Sequence, residues 1–183
     1  MITKTLAIDT GHIHQPDLVE RCISGERLAQ KQLYDQYKTA MFTVALRILN
    51  DYDMACDVLQ DAFIEVFRDL KGFKREGTVG SWIKTIVIRQ ALRKNKFEFR
   101  YQPFDANEHD TLVEQLQKIN SGVIDKAISS LPGGYRSVFT LVEVEGYSHK
   151  EAAAMLGISE NTSRSQLHHA KKQLQVLLKE LKP

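Results

Sequence analysis

Cations and aromatic side chains are interleaved through residues 71–100, in a pattern that could bind single-stranded nucleic acid. Nine lysines and arginines stand there against two acids, and Phe73 and Trp82 lie among them. Bases stack on aromatic rings while cations follow the phosphates, and each stacked base contributes about 1–3 kcal/mol. The alternative is a core tryptophan beside a solvated charged face. We expect Trp82 to pack in a core and the segment as a whole to bind.

A second cluster that could contact nucleic acid occupies residues 148–172. Ser148 and Glu151 have the spacing of a capping box, which predicts the start of a helix. Gly157 then supplies a tight turn, and Ser159 is a candidate cap for a second helix. Two short helices joined in this way form a helix-turn-helix, whose second helix lies in the major groove. The alternative is an ordinary helical hairpin with a charged surface. The residues expected to face outward on the second helix are Glu160, Arg164, Ser165, His168, Lys171 and Lys172.

Four carboxylates recur at every fourth residue from Asp53 to Glu65, so one helix face carries the whole acid row. Paired carboxylates could bind a metal, but the Glu-x-x-His spacing of di-iron bundles is missing. A solvated face is the commonest origin of such a row, and a docking surface for a basic partner is the second. His12 and His14 could also bind a metal but lie near the terminus. The sequence has no phosphate-binding glycine loop and no nucleophile motif, so it supports neither an enzyme nor a cofactor.

The charge distribution indicates partners better than the net charge of only +2. Acidic residues 51–70 and 101–116 alternate with basic residues 71–100 and a basic C-terminal end, which implies at least two kinds of partner. Hydrophobic residues make up 43% of the 183, enough for packed cores. Cys22 and Cys56 stand among apolar residues, so we expect buried reduced thiols in a cytoplasmic protein. We expect no signal peptide and no membrane insertion.

Helical periodicity dominates the first half of the chain, and no segment alternates as a strand does. The pattern predicts a short opening helix around Leu18 and a long helix capped by Ser24, with Leu28 among its inward residues. A third helix is expected from about Asp53 to Leu70. A glycine-rich loop follows, and Ser81 is expected to cap the next helix.

The second half predicts a linker and a second helical unit. Residues 98–121 are polar and acidic, and we expect a flexible linker with a short helix around residues 111–119. Pro132 begins a Pro-Gly-Gly stop, and another helix is expected from Tyr135 to Val144. The fold class is therefore all-α, with two small helical domains. The expected boundaries are 1–15 for an N-terminal tail, 16–97 for the first domain, 98–121 for the linker and 122–183 for the second domain.

Both halves together resemble an extracytoplasmic-function (ECF) sigma factor, a small two-domain type within the sigma-70 superfamily. Residues 34–92 are similar to region 2 of that family, most specifically in DMACDVLQDAFIEVF and GSWIKTIVIRQAL. The stretch AISSLPGGYRSVFTLVEVEGYSHKEAAAMLGISENTSRSQLHHAKKQL is similar to region 4. Many regulators share a helix-turn-helix, whereas both patterns in this order are specific.

The resemblance implies three binding surfaces and no enzymatic activity. The acid-row helix would dock on the β′ clamp helices of core RNA polymerase, and the second domain would also bind the β-flap. The loop at residue 73 and the helix after it would melt the −10 region of promoter DNA and capture a flipped base, at a cost of a few kcal/mol. The recognition helix would read the −35 element, and an anti-sigma factor is an expected partner. The implied residues are Asp57, Gln60, Asp61 and Ile64 for polymerase; Phe73, Lys74, Arg75, Val79, Trp82, Lys84, Arg89 and Arg93 for the −10 region; and Arg164, Ser165, Gln166, His168, His169, Lys171 and Lys172 for the −35 element.

Four positions depart from the family's common pattern and leave the promoter sequence open. Arg89 stands where many members have Asn, and Gln166 and His169 stand where many have Arg or Lys. Val79 replaces a common aromatic residue, so weaker base stacking is expected there. Arg164 has the geometry to read guanine bidentately.

Two other classes of protein would share some of these features. A conventional helix-turn-helix regulator would bind duplex operator DNA alone, usually as a symmetric dimer. That reading leaves residues 71–100 without a role. A helical module that sequesters polymerase or sigma factors would explain the acid row but not the basic recognition helix.

Overall fold

The computed structural model describes residues 15–101 and 123–180, which form helices joined by short turns, and no strand occurs in these ranges. The predicted all-α class is therefore confirmed. The first domain contains α1 (Gln15–Ile23), α2 (Arg27–Leu49), α3 (Tyr52–Asp69), a 3-10 turn (Leu70–Gly72) and α4 (Val79–Tyr101). The second contains α5 (Val123–Ser129), α6 (Gly133–Phe139), a π-helical turn (Thr140–Val144), α7 (His149–Leu156) and α8 (Glu160–Glu180). The predicted short helix at residues 111–119, and His12 and His14, lie outside the described residues.

The long helix α2 begins later than its predicted cap. The Ser24 hydroxyl instead donates to the carbonyl oxygen of Arg21 at 2.8 Å, and Gly25 turns the chain with a φ of +85°. Glu26 occupies the N-cap position without a capping bond. Its carboxylate pairs with Arg21, and this hydrogen bond lowers the pKa of Glu26. The α1–α2 turn is therefore fixed by an ion pair rather than by a serine cap.

The other helix boundaries of the first domain are set by short polar side chains. Asn50 ends α2 in the left-handed conformation with φ 58°, and the Asp51 carboxylate accepts a bond from the first turn of α3 at 2.7 Å. Thr78, rather than the predicted Ser81, caps α4, because its Oγ1 accepts the Ser81 N–H at 3.1 Å. Helix α4 continues to Tyr101, past the expected domain boundary at residue 97.

The core of the first domain lies between α2, α3 and α4. Leu28, which the helical periodicity predicts to face inward, is instead 73% exposed. The five-residue step from Leu28 to Leu33 rotates the helix by about 140°, so only one of them can face the core. Ala29, one turn before Leu33, takes the inward position and is fully buried. The large residues buried in this core include Leu33, Ile48, Val58, Val66, Ile83, Val87 and Ile88.

Helix α4 starts in close contact with α2, and a glycine makes this contact possible. A Cβ atom at Gly80 would lie 2.7 Å from the Tyr37 ring, which is closer than real Cβ contacts allow. The glycine thus brings the first turn of α4 against α2. This approach positions the loop before α4, residues 73–78, relative to the core.

The two cysteines differ in environment. Cys22 is buried as predicted, and burial raises the pKa of its thiol. Cys56 on α3 is only half-buried, so the expectation of two buried thiols is wrong for this residue. Both are free thiols.

The predicted helix from Tyr135 to Val144 is two pieces. Pro132 occupies the N-cap position of α6, so the Pro-Gly-Gly stretch begins a helix as well as ending the previous one. After Phe139 the chain widens into the π-helical turn. Arg136 is buried beside this turn and donates to the carbonyl oxygen of Leu131 at 2.8 Å. Burial lowers the pKa of Arg136 to about 10.

The helix-turn-helix forms as predicted. Ser148 and Glu151 make both bonds of the capping box at the start of α7. Gly157 ends α7 in the left-handed conformation with φ 69°. The Ser159 hydroxyl accepts the N–H of Thr162 at 3.0 Å at the start of α8.

The two domains pack against each other. Helix α2 contacts α5 and α6, and α4 contacts α7. Arg47 of α2 pairs with Asp125 of α5 at 3.0 Å, and Lys84 of α4 pairs with Glu145 at 2.9 Å. Leu141 is fully buried and joins the core of the first domain.

Candidate nucleic-acid and polymerase interfaces

A cavity of about 400 Å³ opens between the loop 73–78 and the first turns of α4. Phe73 and Trp82 lie on its wall with ring centroids 5.6 Å apart and a tilt of 41°. Both rings are half-buried and pack against the core of the first domain. Trp82 is therefore both a core residue, as predicted, and part of a surface that a planar base can approach. The lining residues are Gly72, Phe73, Lys74, Glu76, Gly77, Thr78, Ser81, Trp82 and Thr85.

The loop at the cavity mouth is held in a constrained conformation. Arg75 has a φ of +59°, a conformation that costs a non-glycine residue free energy and is typical of functional loops. Its guanidinium pairs with Glu20 of α1 at 2.9 Å. The loop is thus fixed to α1 at one point, and Lys74 remains exposed beside the cavity.

The cations of α4 continue from the cavity along the helix surface. Thr85 lines the cavity, and Arg89 and Arg93 follow at four-residue steps, so the three share one face. Both arginines are exposed. Lys84 lies on another face, where it is 30% exposed and pairs with Glu145. The structure therefore places Arg89 and Arg93 on the helix face that continues from the cavity and directs Lys84 toward the second domain.

Val79, like Lys84, is a predicted −10 residue that the structure places away from the cavity. It is only 2% exposed and belongs to the core of the first domain. Its side chain does not line the cavity. Val79 is the first residue of α4, directly after the Thr78 cap, and its side chain packs into the core. The sequence reasoning also missed Glu76, Thr78 and Thr85 at the cavity. Thr85 could have been predicted from the sequence, since it lies three residues after Trp82 on the same helical face.

Some acids of the α3 row are paired with residues of α4, and others face solvent. Asp57 pairs with Lys94 of α4 at 2.8 Å, and Glu65 accepts a hydrogen bond from Gln90. Gln60 and Asp61 are exposed, and Ile64 beside them is 67% exposed. An exposed large apolar side chain within an acidic surface is typical of a protein-docking site. The structure therefore brings all four predicted polymerase residues onto one exposed face.

Helix α8 presents most of the predicted recognition residues to solvent. Its inner face is fixed by Leu167, Ala170 and the buried Ser163, whose hydroxyl lies 2.9 Å from Nδ1 of His149. Gln166 is half-buried and lies against Gly134 of α6, because a Cβ atom at that glycine would meet the Gln166 amide at 3.3 Å. The exposed residues are Arg164, Ser165, His168, His169, Lys171 and Lys172.

Four of these exposed residues already have partners in the chain, among them His168 and His169, whose ring centroids are 5.7 Å apart. Arg164 pairs with Glu160 one turn earlier, and Lys171 pairs with Glu143 at 2.8 Å. The His169 ring stacks on Tyr135 with centroids 5.8 Å apart. Nucleic acid would have to displace the two ion pairs to bind these cations.

A second cavity of about 440 Å³ lies where α8 passes the start of α6. Tyr135 and Leu177 supply apolar wall, and Val176 at its edge is 53% exposed. His169 and Lys172 form the polar side. An apolar groove with a basic rim suits an apolar segment of a partner protein.

Within residues 15–101 and 123–180, no cluster of three or more acidic, histidine or cysteine side chains has the arrangement to hold a metal ion. None of the helices described is long and apolar enough to cross a bilayer.

Comparison with known proteins accounts for both domains. Residues 33–97 match the family model of sigma-70 region 2, and residues 121–174 match that of sigma-70 region 4. The chain is 24% identical over 163 residues to the ECF RNA polymerase sigma factor SigM of Mycobacterium tuberculosis, covering 88% of this chain and 83% of the relative. It is 28% identical over 185 residues to the RNA polymerase sigma-H factor of Pseudomonas aeruginosa, covering 89% and 95%.

A solved structure has the same fold. It is a complex of the sigma factor RpoE with the anti-sigma factor NepR from Bartonella quintana, with a TM-score of 0.54 and 21% identity. The match covers 83% of this chain and 98% of that one. The two matched regions together cover most of the chain and define a two-region sigma-70 protein. The chain belongs to the sigma-70 family, and SigM, to which it is similar, is an ECF sigma factor.

Proposed function

We propose that the chain is an alternative sigma factor that directs bacterial core RNA polymerase to specific promoters and helps to melt the −10 region. The observation that supports this function is that one chain holds both an aromatic cavity beside a basic helix and a capped helix-turn-helix. An aromatic cavity beside a basic helix suits unpaired bases, whereas a capped helix-turn-helix suits duplex DNA. The chain acts in the cytoplasm and performs no bond chemistry itself, since polymerase supplies the catalysis.

The first domain captures an unpaired base of the −10 region. The base enters the cavity against Phe73 and Trp82, and the stacking offsets the few kcal/mol that unstacking from the duplex costs. Arg89 and Arg93 continue from the cavity and bind the phosphates of the same strand. Lys74 adds a third cation at the cavity mouth.

The second domain reads the −35 element with α8. Its N-terminal half carries Arg164, Ser165 and His168, and the N-terminal half of a recognition helix lies over base edges. Lys171 and Lys172, one to two turns later, contact phosphates. Phosphate contacts position the helix and base contacts specify the sequence.

Polymerase holds the two domains in register on the promoter. Gln60, Asp61 and Ile64 form the surface that docks on the β′ clamp helices, and the groove at Val176 takes the β-flap. Holding two weak DNA-contact surfaces on one body raises the effective concentration of each at its element. An anti-sigma factor is a further proposed partner, because the related RpoE was solved with one.

Transcription in vitro tests the proposal. The full chain is mixed with sigma-free core polymerase and a library of genomic fragments, and transcript starts are mapped. Discrete starts that share −35 and −10 motifs are expected. The absence of starts, together with tight duplex binding by the chain alone, would instead support a conventional helix-turn-helix regulator.

A paired variant localises the melting function. Arg89→Ala with Arg93→Ala is expected to leave polymerase binding intact and reduce promoter opening, because the phosphates of the melted strand lose their cations. The matched control removes two lysines of α2, Lys31→Ala with Lys38→Ala. Equal loss of opening in both variants would contradict a specific role for α4.

A further inference from the structure

We propose that the free chain is autoinhibited by an acidic turn, residues 140–146, whose carboxylates occupy two DNA-binding cations and hold the domains closed. The effect on DNA binding rests on the proposed function, in which Lys171 contacts phosphates, and on the family resemblance, which implies that Lys84 belongs to the −10 surface. The closed arrangement itself rests on the contacts between the domains.

The acidic turn has a fixed backbone. The N–H of Glu145 donates to the carbonyl oxygen of Thr140, and the N–H of Tyr147 donates to that of Leu141, both at 2.9 Å. Gly146 closes the turn with a φ of +78°. π-helical turns are rare and frequently occur at functional sites. The extra residue in the turn leaves Glu145 beside α4 of the other domain.

Glu145 engages the helix that follows the cavity. Its carboxylate lies 2.9 Å from Nζ of Lys84, and its side chain is only 7% exposed. A carboxylate this deeply buried depends on its cation, because an unpaired buried charge is strongly unfavourable. In this arrangement Lys84 cannot bind a phosphate without abandoning Glu145.

Glu143 engages the recognition helix. Its carboxylate lies 2.8 Å from Nζ of Lys171 on α8, and both side chains are partly exposed. This pair lies within the second domain, so it competes with DNA without closing the interface. Glu145 thus pairs with Lys84 of the predicted −10 surface, and Glu143 pairs with Lys171 of the predicted −35 surface.

Apolar packing completes the closed arrangement. Leu141 and Ala152 are fully buried and belong to the core of the first domain. Tyr147 and Leu156 pack against the same core. The interface therefore continues the first-domain core and includes the helix-turn-helix.

The closed arrangement is incompatible with binding both promoter elements. The −10 and −35 elements are about 25 base pairs apart, which is about 85 Å of duplex at 3.4 Å per pair. In the closed chain α4 and α7 are in direct contact, and a 21-residue helix such as α8 spans only about 32 Å at 1.5 Å per residue. The domains must separate before both can bind, so every contact across the interface opposes promoter binding.

A charge exchange tests the closure. Small-angle X-ray scattering on the full chain gives the radius of gyration of wild type, Glu145→Lys, Lys84→Glu and the double variant. Each single change is expected to enlarge the radius, and the exchanged pair is expected to restore it. Unchanged radii in both single variants would overturn the proposal, as would a double variant as expanded as the singles.

A second experiment tests the effect on DNA binding with near-isosteric changes that preserve folding. Glu143→Gln with Glu145→Gln is expected to bind a short random-sequence duplex at least about threefold more tightly than wild type, because apparent affinity scales with the open fraction. The control is Glu26→Gln, which also removes a paired carboxylate but lies within the first domain. Equal affinity for the acidic-turn variant and this control would overturn the proposal.

The two experiments separate this inference from the proposed function. Failure of transcription in vitro with a radius that responds to the charge exchange would leave the closure standing and remove its role in promoter binding. Normal transcription with radii and duplex affinities that do not respond would leave the sigma function standing and reject the acidic turn as an inhibitor.

Discussion

We expect individual exposed side chains of α8 to determine the choice of promoter. Arg164 lies in the first turns of α8 and is held by Glu160 in an exposed ion pair, which is worth little and is easily exchanged for a base. A guanidinium that binds guanine through two hydrogen bonds discriminates by about 1–3 kcal/mol per base pair.

Replacing Arg164 by alanine should therefore relax −35 selectivity. We expect Arg164→Ala holoenzyme to lose about 1–3 kcal/mol of discrimination at one base pair, with polymerase binding unchanged, as measured by competition among promoter variants. Lys172→Ala is the matched control, since loss of a phosphate contact weakens all sequences alike. Unaltered base preference in the Arg164 variant would show that another residue reads this position.

One acidic residue tests the polymerase-docking surface. Asp61 is exposed beside Ile64 and, unlike Asp57, makes no ion pair with the described side chains of α4. Asp61→Lys is expected to weaken the affinity for core polymerase at least about tenfold, because charge reversal places like charges across the interface. Titration of labelled polymerase measures the affinity, and Asp35→Lys on α2 is the control. Equal weakening by both would indicate a nonspecific charge effect.

The start of α7 is set by its capping box, in which Ser148 and Glu151 bond to each other. The Ser148 hydroxyl bonds to Glu151, and this hydrogen bond lowers the pKa of the Glu151 carboxyl. Ser148→Ala is expected to destabilise the second domain by about 1 kcal/mol, the usual cost of losing an N-cap. Chemical denaturation monitored by circular dichroism measures this loss.

The same box gives a pH dependence. The folded pKa of Glu151 lies below its unfolded value of 4.5, so its contribution is complete above that value and is lost as the pH falls through the folded pKa. The stability difference between wild type and Glu151→Gln is therefore expected to shrink in acid. A difference that stays constant from neutral to strongly acidic pH would show that the ionised carboxylate contributes nothing.

The contact between α2 and α4 depends on one missing methyl group. Gly80→Ala would place a Cβ atom 2.7 Å from the Tyr37 ring, and overpacking of this kind costs about 1–3 kcal/mol. Thermal unfolding measures the loss. Gly72→Ala is the control, because nothing lies within 4 Å of its Cβ position. Similar losses in both variants would show that the contact with Tyr37 is not the cause of the destabilisation.

Local chemistry made these elements partly predictable. The box at Ser148, the left-handed Gly157 and the inward face of α4 follow from residues within one or two turns of each other. The cap of α4 was assigned to Ser81 rather than Thr78 because both hydroxyls stand near the same helix start. The π-helical turn has no local sequence pattern that separates it from an α-helix.

Contacts between distant parts of the chain were beyond sequence reasoning. The pair Lys84–Glu145 joins residues of different domains, and neither the periodicity nor the charge pattern selects that partner. The burial of Val79 depends on how α4 packs into the core. The family's aromatic residue at that position therefore led to a wrong prediction that Val79 belongs to the −10 surface. Only the folded chain shows that Lys74 lies at the cavity whereas Lys84 pairs with Glu145 of the second domain.

The behaviour of the whole molecule on DNA follows from those contacts. The logarithm of the binding constant falls with the logarithm of salt concentration with a slope of about −0.9 for each phosphate neutralised. Releasing Lys84 and Lys171 from the acidic turn adds up to two phosphate contacts. The slope of Glu143→Gln with Glu145→Gln should therefore be steeper than that of wild type by up to about 1.8, as measured by anisotropy titrations. An identical slope would mean that these lysines do not reach phosphates in the free chain.

The position of Trp82 on the cavity wall also makes its fluorescence sensitive to base binding. Trp82 is the single tryptophan of the sequence, and it lies on the cavity wall in contact with a phenylalanine ring. A nucleobase stacked on an indole quenches its emission, so intrinsic fluorescence would report base capture without any label. A stopped-flow trace of that quenching on promoter DNA would time the entry of the base separately from the first encounter of holoenzyme with the duplex.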